Sequence, residues 1–136
     1  MRILALDWGS KRVGAAISDE EGKIAFPMEH AIETKNATEE IKKIIIEHNV
    51  GRVLVGLPRS TEGSEGHSAG LLRKFASSLA QQTGIEITFL DERFTTVEAT
   101  KLLRTQGLSE KKQRPIKDNL AAQIMLQRFL DTNSPV

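Results

Sequence analysis

Residues Ile3 to Leu6 form an unbroken apolar run that stops abruptly at Asp7. A run without polar alternation predicts a strand covered on both faces, so a carboxylate is set at the tip of a buried strand. Gly9 and Ser10 supply a tight turn, Lys11 and Arg12 add positive charge, and Val13 to Ile17 is short, small and apolar before Asp19. The stretch reads as strand, turn, strand with one acid at the mouth. An Asp after a strand and before a glycine is also ordinary turn chemistry, because its side chain accepts a backbone hydrogen bond. What the rest of the chain places beside Asp7 therefore decides its meaning.

The following residues predict a mixed α/β sheet. Asp19 to Gly22 is a turn, and Lys23 to Ile32 is a third extended stretch interrupted by Pro27, which completes an antiparallel meander. Asn36 followed by Glu39 has capping-box spacing, and Ala37, Ile41, Ile44, Ile45 and His48 share a stripe, predicting a helix from Ala37 to His48. His48 reads as packed or as matching the helix dipole. Arg52 to Leu57 is a second doubly covered strand. Pro58 to Gly70 is a polar glycine-rich loop, suited either to close approach of a phosphate or to a plain connection, and His67 reads as a residue at a helix start.

A second helix is expected over Ser68 to Thr83, buried through Leu71, Leu72, Phe75 and Leu79, with Gly84 just past its end. Ile85 to Leu90 is a strand ending in Asp91, Glu92 and Arg93. Thr95 and Glu98 open a short helix to Gly107, Leu108 to Arg114 reads as loose, and a last helix covers Ile116 to Leu130. Asp118 lies four, seven and eleven positions before Ala122, Met125 and Phe129, so helical geometry places it on the sheet-facing stripe. An acid in a first turn also complements the helix dipole.

Composition closes off other classes. The chain has 136 residues, fitting one domain over 1–136, and no apolar run approaches the roughly 20 residues of a membrane span. No export signal is seen, so a cytoplasmic location is expected. There is no cysteine, which removes disulfides and thiolate metal sites. A net charge of +1 leaves only a local footprint for a polyanion, and Lys101 to Lys117 concentrates Lys101, Arg104, Lys111, Lys112, Arg114 and Lys117 against Glu110. Such a run is either a solvated loop or a phosphate-contacting surface.

Asp7, Glu92 and Asp118 belong to two strand ends and one helix start, which can converge at the C-terminal edge of a sheet. Carboxylates gathered there repel one another unless cations lie between them, and oxygen-only ligation suits Mg²⁺ or Mn²⁺. Two such ions about 3.5 to 4 Å apart would support phosphodiester hydrolysis. Lys11, Arg12, Arg93, Lys111, Lys112 and Arg114 are candidates for holding the nucleic acid through its phosphates. Trp8 reads as a stacking platform or as core filler.

The blocks ALDWGSKRVGAAISD, VGLPRSTEGSEG, LDERFTTVEA and KDNLAAQIMLQRFL resemble, in order and over nearly the whole chain, the motifs of the YqgF/RuvX family of pre-16S rRNA nucleases, also described as Holliday-junction-resolvase-like. The resemblance implies a ribonuclease H-like α/β fold. Its mixed five-stranded sheet combines an antiparallel three-stranded meander with two parallel strands, and helices cover both faces. It also implies a cytoplasmic, metal-dependent nuclease in 5′-end processing of precursor 16S rRNA, with Asp7, Glu92 and Asp118 as the acidic positions. The alternatives are a resolvase of branched DNA or a non-catalytic nucleic-acid-binding or nucleotide-binding protein, the last because Asp7-Trp8-Gly9-Ser10 also resembles the phosphate loop of actin-like ATPases. The expected partner is nucleic acid, precursor rRNA or branched DNA, without membrane, and the protein is expected to be a monomer or homodimer. In a ribonuclease H-like sheet the strand ending at Glu92 stands two positions from the one ending at Asp7, about 10 Å away, and the three carboxylates are expected to share one cleft.

Overall fold

The apolar run at the head of the chain forms β1 (Arg2–Trp8), in which Leu4, Ala5 and Leu6 are fully buried, as expected of a strand covered on both faces. The structure, a computed structural model, describes residues 1–9, 12–29, 32–57, 65–91 and 110–133. β2 (Arg12–Ser18) returns antiparallel to β1, pairing Asp7 with Gly14 and Leu4 with Ile17. On its other side β1 pairs in parallel with β5 (Val50–Leu57), and β5 in turn with β6 (Glu86–Asp91). The outer edge beyond β2 is shared by β3 (Ala25–Pro27) and β4 (Ile32–Glu33), both antiparallel to β2. The order β3-β2-β1-β5-β6, with β4 beside β2, is a mixed α/β sheet of the expected kind.

The expected single third strand is thus two short ones. Pairing runs Ser18 to Ala16 against Ala25 to Pro27 and resumes with Val13 and Arg12 against Ile32 and Glu33. Between the two pairings β2 has two residues, Gly14 and Ala15, and the edge chain has four in sequence, a mismatch that breaks a ladder. At the break, the Met28 N–H donates to the Ala15 carbonyl (2.9 Å), but the Ala15 N–H donates instead to Asn119 Oδ1 (2.9 Å), and Asn119 Nδ2 donates to the Met28 carbonyl (2.8 Å). A side-chain amide has been inserted where a ladder bond would lie.

Helices α1 (Ala37–Glu47) and α2 (Glu65–Thr83) cover one face, and α3 (Glu110–Asn133) covers the other. In α1 the predicted stripe is buried at Ala37, Ile41, Ile44 and Ile45. The spacing of Asn36 and Glu39 does not produce a side-chain cap: Asn36 is at the N-cap without such a bond, and the helix grows instead from a 3₁₀ turn, Thr34–Asn36. The helix stops at His48, whose N–H reaches the Ile44 carbonyl (3.0 Å), while Asn49 adopts a left-handed φ of 55° and Arg2 Nη1 donates to the His48 carbonyl (3.0 Å).

α2 starts at Glu65, earlier than the expected Ser68, and buries Leu72, Ala76 and Leu79. Gly84 ends it at φ 71°, its N–H on the Ala80 carbonyl (2.8 Å), the C-terminal geometry glycine favours. α3 begins at Glu110, so residues 110–114, expected to be loose, are helical. Pro115 is the sixth residue of this helix, past the first four N–H groups that lack intrahelical acceptors, so the helix runs through it one backbone bond short. The expected helix over Val97 to Gly107 lies outside the described residues.

Under α3 the sheet presents Ala5, Ala16 and Ala25 together with Leu54 of β5, and these meet Ala122, Met125, Leu126 and Leu130. The helix is also stitched to the edge, Gln127 accepting from the Ala25 N–H (2.9 Å) and donating to the Lys23 carbonyl (3.0 Å), and Gln123 donating to the Ala25 carbonyl (3.1 Å).

The turn between β2 and β3 is closed by Asp19. Its Oδ1 accepts from the N–H groups of Ile24 (3.0 Å) and Lys23 (2.7 Å), and these bonds, that to Ile24 foremost, hold its carboxyl below the ordinary value of 3.8. The unfolded chain takes up this proton more readily, so the stabilisation is complete above the ordinary value and disappears as pH falls through the lowered folded value. Thermal melts of the wild type and Asp19→Ala should show a constant Tm gap from neutral pH down to about pH 5, shrinking as the pH falls below 3.8. A gap that persists unchanged in acid removes the carboxylate from the turn's stability.

Candidate functional site

The register of the sheet assigns each site residue a face. Side chains alternate along a strand, and residues paired across a ladder share a face. Leu4 and Leu6 belong to the core under α1 and α2, whereas Ala5 belongs to the core under α3, so Asp7 stands on the α3 face. Its partners there are Gly14 in β2 and Gly56 in β5, and Gly56 is paired in turn with Leu90 of β6. The half-buried Asp7 is thus flanked by two positions without side chains, at the end of the sheet where β1, β5 and β6 all finish. Arg12, two residues from Gly14 in β2, lies on this same face and at this same end.

The turn joining Asp7 to Arg12 depends on Gly9. A Cβ at that position would lie 2.5 Å from the backbone oxygen of Arg12, so no other residue fits without moving the turn. The turn is also held from outside, the Thr34 hydroxyl donating to the Gly9 carbonyl (2.8 Å).

Helix α3 begins at this end and runs away from it. Asn119 bonds Ala15, the neighbour of Gly14, whereas Gln127 bonds Ala25 and Lys23 at the opposite end of the edge. Farther still, Phe129 lies beneath the Arg52 guanidinium (5.9 Å), which also reaches Glu86 (2.9 Å). Ala122 and Met125 are buried against the sheet and Phe129 is packed against the same core, so the stripe expected to carry Asp118 is the sheet-facing one, with position 118 one turn before Ala122. The side chain of Asp118 lies outside the described residues.

The candidate residues divide accordingly. Asp7 and Arg12 share a face and an end of the sheet, and the helix bearing Asp118 starts there. Glu92, Lys11 and Arg93 lie outside the described residues. β6, which leads to Glu92, ends two strands from β1, the separation expected. Lys111, Lys112 and Arg114 fall in the first turns of α3 rather than in a loop, their side chains outside the described residues. Among the described residues no three His, Cys, Asp or Glu side chains gather in a metal-ligand cluster.

Trp8 is half-buried and packs against the core, the second of its two readings. It follows Asp7 in the strand and therefore points to the other face, where its ring lies 4.5 Å from that of Phe75 at 45°. The sequence reading missed Asn119, which is only 4% exposed. Its signal was available: it shares a helical stripe with Ala122 and Leu126, and a polar residue on a buried stripe must find partners.

A family model described as "RuvX: Holliday junction resolvase" matches residues 1–132. The chain belongs to the RuvX family. A relative in Carboxydothermus hydrogenoformans named "Putative pre-16S rRNA nuclease" is 43% identical over 136 residues, covering 98% of this chain and 99% of its own. One of the same name in Myxococcus xanthus is 39% identical, covering 99% of this chain and 91% of its own. Among solved structures, RuvC of Thermus thermophilus in complex with a Holliday junction substrate matches with a TM-score of 0.63 at 14% identity, over 97% of this chain and 95% of that one. The fowlpox virus resolvase with substrate Holliday junction DNA matches with a TM-score of 0.61 at 12% identity, over 99% and 100%. These two likenesses show the fold, that of the resolvases, as the resemblance implied.

The pairing of Trp8 with Phe75 is checked through the chain's one tryptophan. Phe75→Ala should shift its fluorescence to longer wavelength and cost about 2 kcal/mol or more in denaturant titrations, toward the low end for a core aromatic since Phe75 is half-buried. Adding single-stranded RNA to the wild type should leave the emission unchanged; quenching by RNA would restore the stacking role.

Proposed function

We propose that this chain is a divalent-cation-dependent nuclease acting in 5′-end processing of precursor 16S rRNA in the cytoplasm, with residues 1–136 as one domain and Asp7, Glu92 and Asp118 as its catalytic carboxylates. The observation that carries the reading is Asp7 at the mouth of the central strand, between Gly14 and Gly56, on the face and at the end where α3 begins. Membership of the RuvX family and the names of its relatives supply the reaction class and the RNA. β6 ends at Asp91, one residue before Glu92, and its Leu90 sits in the row of Gly56 and Asp7. No helix among the described residues is long and apolar enough to cross a membrane.

The donor set fits Mg²⁺ or Mn²⁺: it is all carboxylate oxygen, and both ladder neighbours of Asp7 are glycines, which leave space on that face for an ion with retained waters. Asp7, Glu92 and Asp118 would hold the cations, which supply charge neutralisation at the phosphate and acidify a water. The protein's own part is placement. Phosphodiester hydrolysis requires a water oxygen in line with the leaving oxygen, and carboxylates fixed to a strand and a helix hold that geometry better than loop residues. Arg12, on the same face, is suited to a phosphate oxygen, as are Lys11, Arg93, Lys111, Lys112 and Arg114 by charge and sequence position. Such contacts orient a strand without reading its sequence.

The test is cleavage of a precursor 16S rRNA leader and of a four-way DNA junction, in parallel, over a Mg²⁺ and Mn²⁺ titration. Wild type should cleave the leader and lose activity in chelator, and Asp7→Asn and Asp118→Asn should each lower the rate about a hundredfold or more while remaining folded. Preferential cleavage of the junction, the substrate in the family's description, would move the assignment to branched DNA. Unchanged activity in both variants would leave a binding protein. Gly56→Ala, which adds a methyl beside Asp7, should raise the divalent concentration for half-maximal cleavage by about tenfold or more, with RNA affinity in chelator unaltered.

A further inference from the structure

We infer that Asn119 is a positioning residue for the nuclease site: its buried amide sets the start of α3 over β2 and so fixes where Asp118 stands relative to Asp7. The inference rests on the reading of Asp118 given above and extends it to a residue that touches neither metal nor substrate.

Three observations support it. The first is the insertion itself: Oδ1 accepts from the Ala15 N–H (2.9 Å) and Nδ2 donates to the Met28 carbonyl (2.8 Å), so both ends of one amide are held by backbone of the sheet and its edge. An amide bound at both ends has one position along β2 and one rotation about the helix axis. The second is where this happens. Ala15 adjoins Gly14, the ladder partner of Asp7, and Asn119 adjoins Asp118, so a slip of α3 along β2 changes the spacing of the two acids directly. The third is that the helix has other attachments that lack this property. Gln127 and Gln123 bond to Ala25 and Lys23, two turns and one turn farther from Asp118, where they fasten the helix without defining its start.

Residues that orient a ligating carboxylate from behind act on metal affinity and rate more than on substrate affinity. Asn119→Ala should therefore raise the Mn²⁺ concentration for half-maximal cleavage about 10- to 100-fold and lower kcat, with KM for the RNA leader unchanged. It should also diminish the rise in Tm that Mn²⁺ gives the free protein. Gln127→Ala is the control: it removes two bonds of the same helix to the same edge, and should lower Tm with kcat and the Mn²⁺ requirement intact. If Asn119→Ala does not fold, Asn119→Ser, which keeps a hydroxyl on a shorter side chain, decides by the same readouts. Variants of Asn119 that lose only Tm, as Gln127→Ala does, overturn the inference. Asp118→Asn is measured alongside: if it is fully active, the reading of the site fails; if it is inactive while Asn119 variants resemble Gln127→Ala, only the positioning role fails.

Discussion

Period-two alternation along β1 governs the rest of the molecule. A strand buried on both sides has to satisfy two different cores at once, and β1 does so by giving Leu4 and Leu6 to α1 and α2, and Ala5 to α3. Burying such a leucine is worth about 1.5–3 kcal/mol, so sliding the strand by one residue would exchange the two sets at a cost no surface contact could offset. That protection of register is what gives Asp7 a defined face. The same rule sends Trp8 to the opposite face, which is why adjacency in sequence to the acid misleads about its role.

Under α3 the sheet presents Ala5, Ala16 and Ala25 along β1, β2 and β3, with Leu54 in β5 beside them, and the consequence is proximity on the alanine side. With Ala5, Ala16 and Ala25 below and Ala122 above, the helix backbone can come close enough for a side chain as short as that of asparagine to reach a backbone N–H inside the sheet. Larger residues in the sheet would hold α3 off and leave the peptide groups of Ala15 and Met28 without this partner, each at about 1–3 kcal/mol. Close packing and the broken edge strand are therefore one feature: the edge parts at Met28 because an amide from the other layer takes a place in its ladder.

Local signals in the sequence were sufficient for the elements whose cause is local. The runs Ile3 to Leu6 and Arg52 to Leu57, the stripe through Ile41, Ile44 and Ile45, and Gly84 as a helix end each follow from periodicity or backbone freedom within a few residues. What was not legible has a distant cause. The contact between Asn119 and Ala15 joins positions 104 apart, so no window along the chain discloses the interruption of the edge strand. Asn36 and Glu39 show the opposite failure, a motif with correct spacing whose helix is started by a 3₁₀ turn with no side-chain cap. Of the site, the acid at the strand mouth was legible from its unusual setting; the two glycines beside it were present in the sequence but acquired meaning only once the ladders paired them with Asp7.

Charge along α3 follows neither helix stability nor solubility. The N-terminal end of a helix carries a partial positive charge, and cations in a first turn oppose it by about 0.3–1 kcal/mol each. Yet Lys111, Lys112, Arg114 and Lys117 all fall in the first turns of this helix, against Glu110 and Asp118. A chain of net charge +1 has no general need for such a concentration of positive charge at a helix start. On the reading proposed for the site, a polyanion laid across this end relieves both this repulsion and the opposite one among the carboxylates, since its phosphates meet the cations while the divalent ions that accompany it meet the acids. On that same reading the sheet end is least favourable when empty, and binding energy from phosphates remote from the scissile bond would be available to assemble the charges around it.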